Sequence, residues 1–505
     1  MDMKNKNSAL GLGVIVTSIA ILAILGYFWG AQFAHWGYGQ LRGNLIYILP
    51  IIVGLITIAY GFIKDRQSVL IIGCILTLVV PVIPMPFTNY ARAQAYVDVI
   101  TTEQSNGEDI SYKPRTPFEV ASSVSDRNLG ETMGRSIQQV TALPAVSENT
   151  TYTTAVIRRG IFEGYESVQV MDLPLYGSTS SQDVKFCKFN EDAKLRFGGE
   201  IPSNDLGRAL AWKTQLSVRW NKRDAFFYCN DDVPEIYIPL KKIAGNPFIG
   251  HEVPYGVAIY NGHTGDLSIE TEYAGDLPVY PLSLAKKQRA STTASGSLWD
   301  YWMRRAGYAT TEKDQDEMDN AEENESTEDG EIVRNENLAD YSLAGDTTGN
   351  SYFVTPLTPR GSSSSIIAIG NLQSNTVKNG ELNPYSIHRY DIPRQAKSTI
   401  ASRIISEELS GYRAQGLHVF EVTPERNGNW VATIGQRQTV IYRATISPEG
   451  KISLQTVDGS QKNNVNNSEE METKAEKNIT DMSNEELRQL ADDILNELAS
   501  RAEQK

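Results

Sequence analysis

Apolar and polar positions alternate at very different scales along this chain. Near the N-terminus the apolar positions fuse into three runs, at about 9–30, 45–63 and 69–87, and none of them holds an acidic or basic residue. Each is close to the ~20 residues that an α-helix needs to cross a bilayer's hydrocarbon core. Pro50 and the group Pro81, Pro84 and Pro86 are compatible with this, because neighbouring helices can satisfy freed backbone groups. The third helix is expected to end near Pro81. The first run has a basic start, Lys4 and Lys6, but its apolar core is longer than that of a cleaved leader. It is therefore expected to stay as a signal anchor, giving a three-helix membrane anchor over 1–90.

Basic residues near the runs set an expected orientation. Lys4, Lys6, Lys64 and Arg66 fall on one side, and Arg42 and Arg92 on the other. The expectation is a multi-pass cell-membrane protein with a cytoplasmic N-terminus and a large extracytoplasmic C-terminal domain. Small residues such as Gly54, Gly61 and Gly73 suit close helix packing.

Beyond residue 91 the pattern shortens. A helix is expected within 119–135, and from Tyr152 onward come short runs of β-formers, at 153–158, 167–172, 225–229 and 235–240, separated by turn residues. The segment 255–270, YGVAIYNGHTGDLSIE, has the alternation and Gly-containing turn of a hairpin. QTVIYRATISPEGKISLQ at 438–455 repeats that pattern, with GKISL at its tip matching GDLSI of the first. Each follows a helical pattern and further strands, which suggests an internal duplication of αβββ units.

A helix followed by an antiparallel meander ending in such a tip resembles PepSY-type, cystatin-like modules. The wider pattern, including PVYPLSLAKKQR at 278–289 and YFVTPLTPRGSSSS at 352–365, is similar to uncharacterised multi-pass envelope proteins of Gram-positive, actinobacterial type. The fold class expected is α+β: three N-terminal transmembrane helices, then a mainly antiparallel β-meander ectodomain with packed helices. The resemblance implies regulation or sensing at the cell envelope. It supplies no catalytic signature.

Composition divides the remainder. The 505 residues carry 61 acidic and 47 basic side chains, net −14, which disfavours a general nucleic-acid partner. Eleven carboxylates and one lysine fall within 312–331, net −10, so 312–337 reads as a solvated acidic linker between lobes at 91–311 and 338–457. The tail, 458–505, is again acidic. Within it 483–501 reads as an amphipathic helix opened by the capping box Ser483/Glu486. Leu487, Leu490, Ile494 and Leu498 form its apolar stripe, a candidate for a partner helix or a second copy of the chain.

Candidate chemistry is sparse. Cys187 and Cys229 sit in apolar strand contexts and are a candidate disulfide, with two unpaired buried thiols as the alternative. Ser283 and Lys286 match S-x-x-K, in which the lysine would serve as base for a serine nucleophile, but the companion motifs of that enzyme class are missing. The five histidines offer no close metal-ligand pair, and no phosphate-binding glycine loop is visible. No catalytic residue, metal or cofactor is assigned. The expected role is a membrane-anchored, non-enzymatic envelope protein that binds or scaffolds another component, its partners being the bilayer and a protein or a second copy. A subunit of a transport or secretion complex and a serine hydrolase acting on envelope material are the alternatives.

Overall fold

The computed structural model describes residues 26–27, 29–104, 116–129, 134–136, 141–143, 150–158, 160, 163–173, 184–193, 195–199, 204–309, 342–345, 350–360, 365–395, 400, 403–404, 406, 417–424, 429–436 and 439–456. Most of the first apolar run, the acidic stretch 312–337 and the tail stripe Leu487, Leu490, Ile494 and Leu498 lie outside these residues.

The three-span expectation is not upheld. Residues 29–41 form helix α1, which lies on the β-rich body instead of standing alone. His35 is buried there, with Nε2 2.9 Å from the Ala211 carbonyl and Nδ1 3.3 Å from that of Val218. Gln32 donates to Asp205 Oδ2 at 2.6 Å. Helix α2, Leu45–Ile63, is the one described helix long and apolar enough to cross a membrane, with mean hydropathy 2.3. Its 19 residues rise about 28 Å at 1.5 Å each. Helix α3, Gln67–Leu78, has 12 residues and rises only about 18 Å, short of the hydrocarbon thickness. The prolines explain the shortfall: the chain turns through 79–84 before α4, Met85–Val97, begins with Pro86 in its first turn. The described residues thus give one candidate span, and the multi-pass arrangement with a fixed cytoplasmic N-terminus and extracytoplasmic domain falls with it.

α2 and α3 pack as a hairpin around a tip at Lys64, Asp65 and Arg66. Glycines let the backbones approach. A Cβ on Gly54 would lie 2.9 Å from the Gly73 carbonyl oxygen, and one on Gly73 would lie 2.8 Å from the Ile58 nitrogen.

The named strands among the remaining described residues form antiparallel sheets, with one parallel pairing between strands. Strand β1, Ile100–Gln104, follows α4 directly. Helix α5, Phe118–Arg127, precedes the first sheet, formed by β2 (Gly134–Ser136), β3 (Thr141–Ala142), β4 (Thr150–Arg158), β5 (Tyr165–Leu173) and β6 (Val184–Lys188). Its order is β2-β4-β5-β6, with β3 also on β4. Helix α6, Leu206–Lys213, capped by the Asp205 carboxylate on the Gly207 N–H, leads into the second sheet. That sheet contains β7 (Val218–Trp220), β8 (Phe226–Asn230), β9 (Val233–Gly245), β10 (Gly250–Asn261) and β11 (Leu267–Glu270), ordered β11-β10-β9-β7 with β8 also on β9.

Strand β12, Glu272–Ala274, helices α7 (Leu282–Ala290) and α8 (Leu298–Trp302), and strand β13 (Tyr308–Ala309) then lead to β14 (Ser342–Gly345), β15 (Ser351–Pro359), β16 (Ser365–Gln373), β17 (Thr376–Lys378) and β18 (Tyr385–Gln395). The third sheet is ordered β1-β18-β16-β15-β13, with β14 also on β15, and β1 pairs parallel with β18. β12 pairs with β17. The fourth sheet is a plain meander of β19 (Leu417–Pro424), β20 (Trp430–Gln436), β21 (Thr439–Ile446) and β22 (Ile452–Thr456).

Apolar packing closes these sheets into a ring resembling a four-bladed propeller. Val168 and Cys187 of the first sheet meet Phe227, Ile236 and Tyr260 of the second. Tyr237 and Val257 of the second meet Val377 of β17. Val354 and Ile369 of the third meet Trp430 and Ile434 of the fourth. Phe420 and Val440 of the fourth return to Met171 and Leu173 of the first, across from Val120 and Val124 of α5.

This architecture replaces the expected PepSY-like duplication. The two hairpins do exist as β10–β11 and β21–β22, but their sheets are built differently. In the second sheet β7 and β8 share one long partner, β9; the fourth is a simple meander. The matching tips have a local cause. Gly265 and Gly450 take φ of +77° and +85°, a conformation the turn requires and glycine adopts without a side-chain clash.

Candidate functional site: the root of the helical hairpin

The hairpin joins the body at the α1–α2 corner. Gly43, with φ +93°, sits so close to the β9–β10 turn that a Cβ would lie 2.8 Å from the Gly250 Cα. Its N–H donates to the Pro247 carbonyl at 2.9 Å. From α4, Arg92 donates to the Gly43 carbonyl at 2.9 Å and to Asn44 Oδ1 at 2.6 Å. One helical turn further, the Tyr96 hydroxyl donates to the Glu252 carbonyl at 2.9 Å and accepts from the Glu252 N–H at 3.1 Å. Backbone amides of β10 thus grip the return helix.

Behind this corner lies a network of charges. Glu252 Oε2 accepts from Lys241 Nζ at 2.8 Å and from Lys287 Nζ at 3.1 Å. Lys241, with a side chain only 7% exposed, also donates to Ser283 Oγ at 2.9 Å. Ser283 Oγ in turn donates to Asp224 Oδ2, and the Ser283 N–H donates to Asp224 Oδ1 at 2.9 Å. Asp224 therefore serves the first turn of α7 as a capping carboxylate would. The Arg219 guanidinium fills the space that a side chain at residue 39 would need, which ties α1 to the same corner.

The two carboxylates respond oppositely to burial. Desolvation pushes Glu252 up, but the Lys241 and Lys287 ammoniums outweigh it and hold the carboxyl at about 2. At Asp224 desolvation wins over Lys241 and the Ser283 hydrogen bonds, leaving its pKa above the ordinary value. Paired buried charges of this sort fix geometry more than they stabilise.

The network decides what Ser283 can do. The S-x-x-K reading sets Lys286 beside it, but the partners of Ser283 in the structure are Lys241 and Asp224. A lysine base must be neutral and unencumbered to take a serine proton. Lys241 instead spends its protons on Glu252 and on Ser283 itself, and the hydroxyl proton points at Asp224. The arrangement orients α7 and is not the serine–lysine pair of the S-x-x-K reading.

Around the root the surface is aromatic. Tyr27, Trp29, Phe33 and Trp36 on the α1 side, Trp212 on α6, Phe248 in the β9–β10 turn, and Trp299 and Trp302 on α8 are all exposed. Arg208 lies over the Tyr27 ring at 5.3 Å, and Phe87 packs edge-on against Trp302 at 5.4 Å. Rings of this kind collect where protein meets a membrane–water boundary.

Cys187 on β6 and Cys229 on β8 are brought together with a Cα–Cα distance of 6.1 Å, in disulfide geometry, stapling the first sheet to the second. Asp224, Lys241 and Glu252 escaped the sequence reading. The Lys241–Lys242 doublet looks like solvated charge, and nothing local marks one lysine as buried.

No protein-family model matches the chain, and no curated protein matches it. Among solved structures, MPT-4, a mannose phosphorylase from Leishmania mexicana in complex with phosphate ion, aligns over 70% of this chain and 69% of its own at 8% identity and a TM-score of 0.14. A likeness that slight carries no argument about fold or activity.

Proposed function

We infer that this protein is a membrane-anchored, non-enzymatic binding or scaffolding protein, its four-sheet body held at a lipid surface by the α2–α3 hairpin. One observation carries the reading: the hairpin turns its large apolar side chains outward. Leu55, Ile56, Phe62, Ile63, Ile71 and Leu78 are among the exposed residues, while glycine lines the inner face. A soluble monomer rarely leaves so much contiguous apolar surface in water. The ~28 Å of α2 is of the order of the ~30 Å hydrocarbon core, and α2 is the one described helix of that length and hydropathy. The exposed aromatic residues at the root suit contact with lipid headgroups.

Ser283, held by Asp224 and Lys241, does not make the S-x-x-K pair, which removes the one catalytic pairing the sequence offered. Edges of the body are also open to pairing: β6, β11 and β22 each end their sheet among the described residues, and an extended segment of another protein can add to such a strand.

Flotation of the full chain with phosphatidylcholine vesicles tests the anchor. The wild type is expected to float with the vesicles, and Ile56→Asp/Ile71→Asp to stay at the bottom of the gradient while keeping the body's far-UV spectrum. A wild-type chain that is monodisperse without detergent and ignores vesicles would overturn the reading.

A further inference from the structure

We propose that Cys187, Cys229 and Asp232 form a redox-gated site for a thiophilic divalent cation such as zinc, closed while the cysteines are joined and opened when they are reduced. The two sulfurs and a carboxylate oxygen of Asp232 lie within 4.8 Å of one another. Tetrahedral zinc with Zn–S bonds of ~2.3 Å needs sulfurs about 3.8 Å apart, so parting the sulfurs by a small side-chain rotation suffices.

The three residues arrive from different elements, which makes the cluster a product of the fold. Cys187 comes from the last strand of the first sheet, Cys229 from β8, and Asp232 from the turn between β8 and β9. That turn places Asp231 and Asp232 at φ of +45° and +71°, a region aspartate tolerates better than most side chains. It brings the carboxylate back over the cysteine three residues earlier. Cys187 is buried whereas Asp232 is exposed, so the site has an apolar floor and an open rim through which an ion and a water ligand enter.

An outer partner is in place as well. Lys185, two residues before Cys187 on β6, donates to Asp232 Oδ1 at 2.6 Å. It holds one carboxylate oxygen, the second oxygen being a further acceptor for the cation, and offsets the surplus negative charge of two thiolates and a carboxylate around a divalent ion. Neighbours of this type orient ligands and tune affinity.

The chemistry balances with a dithiol or phosphine reductant. Two electrons and two protons convert the disulfide to two thiols, the dithiol being oxidised to its own disulfide or the phosphine, with one water, to its oxide. Binding of the cation then releases the two thiol protons, leaving two thiolate–metal bonds, one carboxylate bond and one water. A small-molecule disulfide reverses the step: it takes the two electrons and two protons to become two thiols, the Cys187–Cys229 bond re-forms, and the ion leaves. This site does not depend on the hairpin reading.

The test uses the full chain in detergent micelles under nitrogen, with zinc alone as the probe. After phosphine reduction and desalting, about one zinc per chain is expected to be retained, against none for the oxidised protein. Cobalt substitution should add a thiolate-to-metal charge-transfer band. Asp232→Asn, which tolerates the same positive φ, should weaken zinc by about tenfold, and Lys185→Met by about tenfold. Zinc bound equally by the oxidised protein, unchanged affinity in Asp232→Asn, or a disulfide reducible only after unfolding would each overturn the proposal.

Discussion

The α2–α3 hairpin and the β body use the same residue types in opposite directions. In the body, Ile236, Leu210, Trp430 and Tyr260 face inward and are almost wholly buried. In the hairpin, Ile56, Ile63 and Leu78 face outward, and Gly54, Gly61 and Gly73 are the buried ones. The body removes its apolar side chains from water by closing sheet on sheet, whereas those of the hairpin stay exposed on the molecule. On the function proposed above, lipid is what covers them. The contrast teaches that burial must be judged against the medium each region is built for.

The strongest way to break this comparison is to disturb the charges at the seam between the two regions. Glu252→Leu leaves Lys241 buried without its carboxylate and is expected to cost about 3–5 kcal/mol in urea unfolding of the detergent-solubilised protein. Ile236→Ala, in the packing between first and second sheets, should cost about 2–5 kcal/mol, whereas Ile56→Ala in the hairpin should leave the body's midpoint within about 0.5 kcal/mol. Equal effects from the two isoleucines would erase the distinction.

Acid should act at the seam with a definite sign. The Glu252 carboxyl is lowered from 4.5 to about 2, so its contribution is complete above about 4.5 and is lost as pH falls toward 2, about 3 kcal/mol in all. Asp224 works the other way. Its raised carboxyl binds a proton more readily folded than unfolded, so stability declines as pH rises above its ordinary 3.8. Asp224→Asn should abolish that decline in pH-dependent urea midpoints, and a profile unchanged by the substitution would refute the assignment. Among the disruptive substitutions the smallest cost is expected at the hairpin's inner face. Gly73→Leu forces α2 and α3 apart at a cost of about 1–3 kcal/mol, read as faster proteolysis at 64–66 with the body intact.

Sequence pattern made some of this visible. Asn261 through Gly265 announce the β10–β11 turn because turn chemistry is local, and the strand contexts of Cys187 and Cys229 pointed to their pairing. The end of the third helix near Pro81 was legible, since α3 stops at Leu78; the error lay in still counting a run so shortened as a span. Helix α1 was not anticipated, for a different reason: His35 and Gln32 reveal their role only through Ala211, Val218 and Asp205, more than 170 residues away. The charge network is equally non-local, since Ser283 meets Asp224 and Lys241 at separations of 59 and 42 residues. The ring of sheets likewise depends on contacts that periodicity does not encode.

The parallel pairing of β1 with β18 has a mechanical consequence. β1 begins three residues after α4 ends, and its register runs from Ile100 opposite Tyr385 to Gln104 opposite Arg389. A pull along the axis of β1 would load all the hydrogen bonds of that ladder in shear at once, whereas one at right angles would unzip them one at a time. Any load carried by α4 is divided between this ladder and the Tyr96–Glu252 hydrogen bonds to β10, so the second and third sheets bear it together.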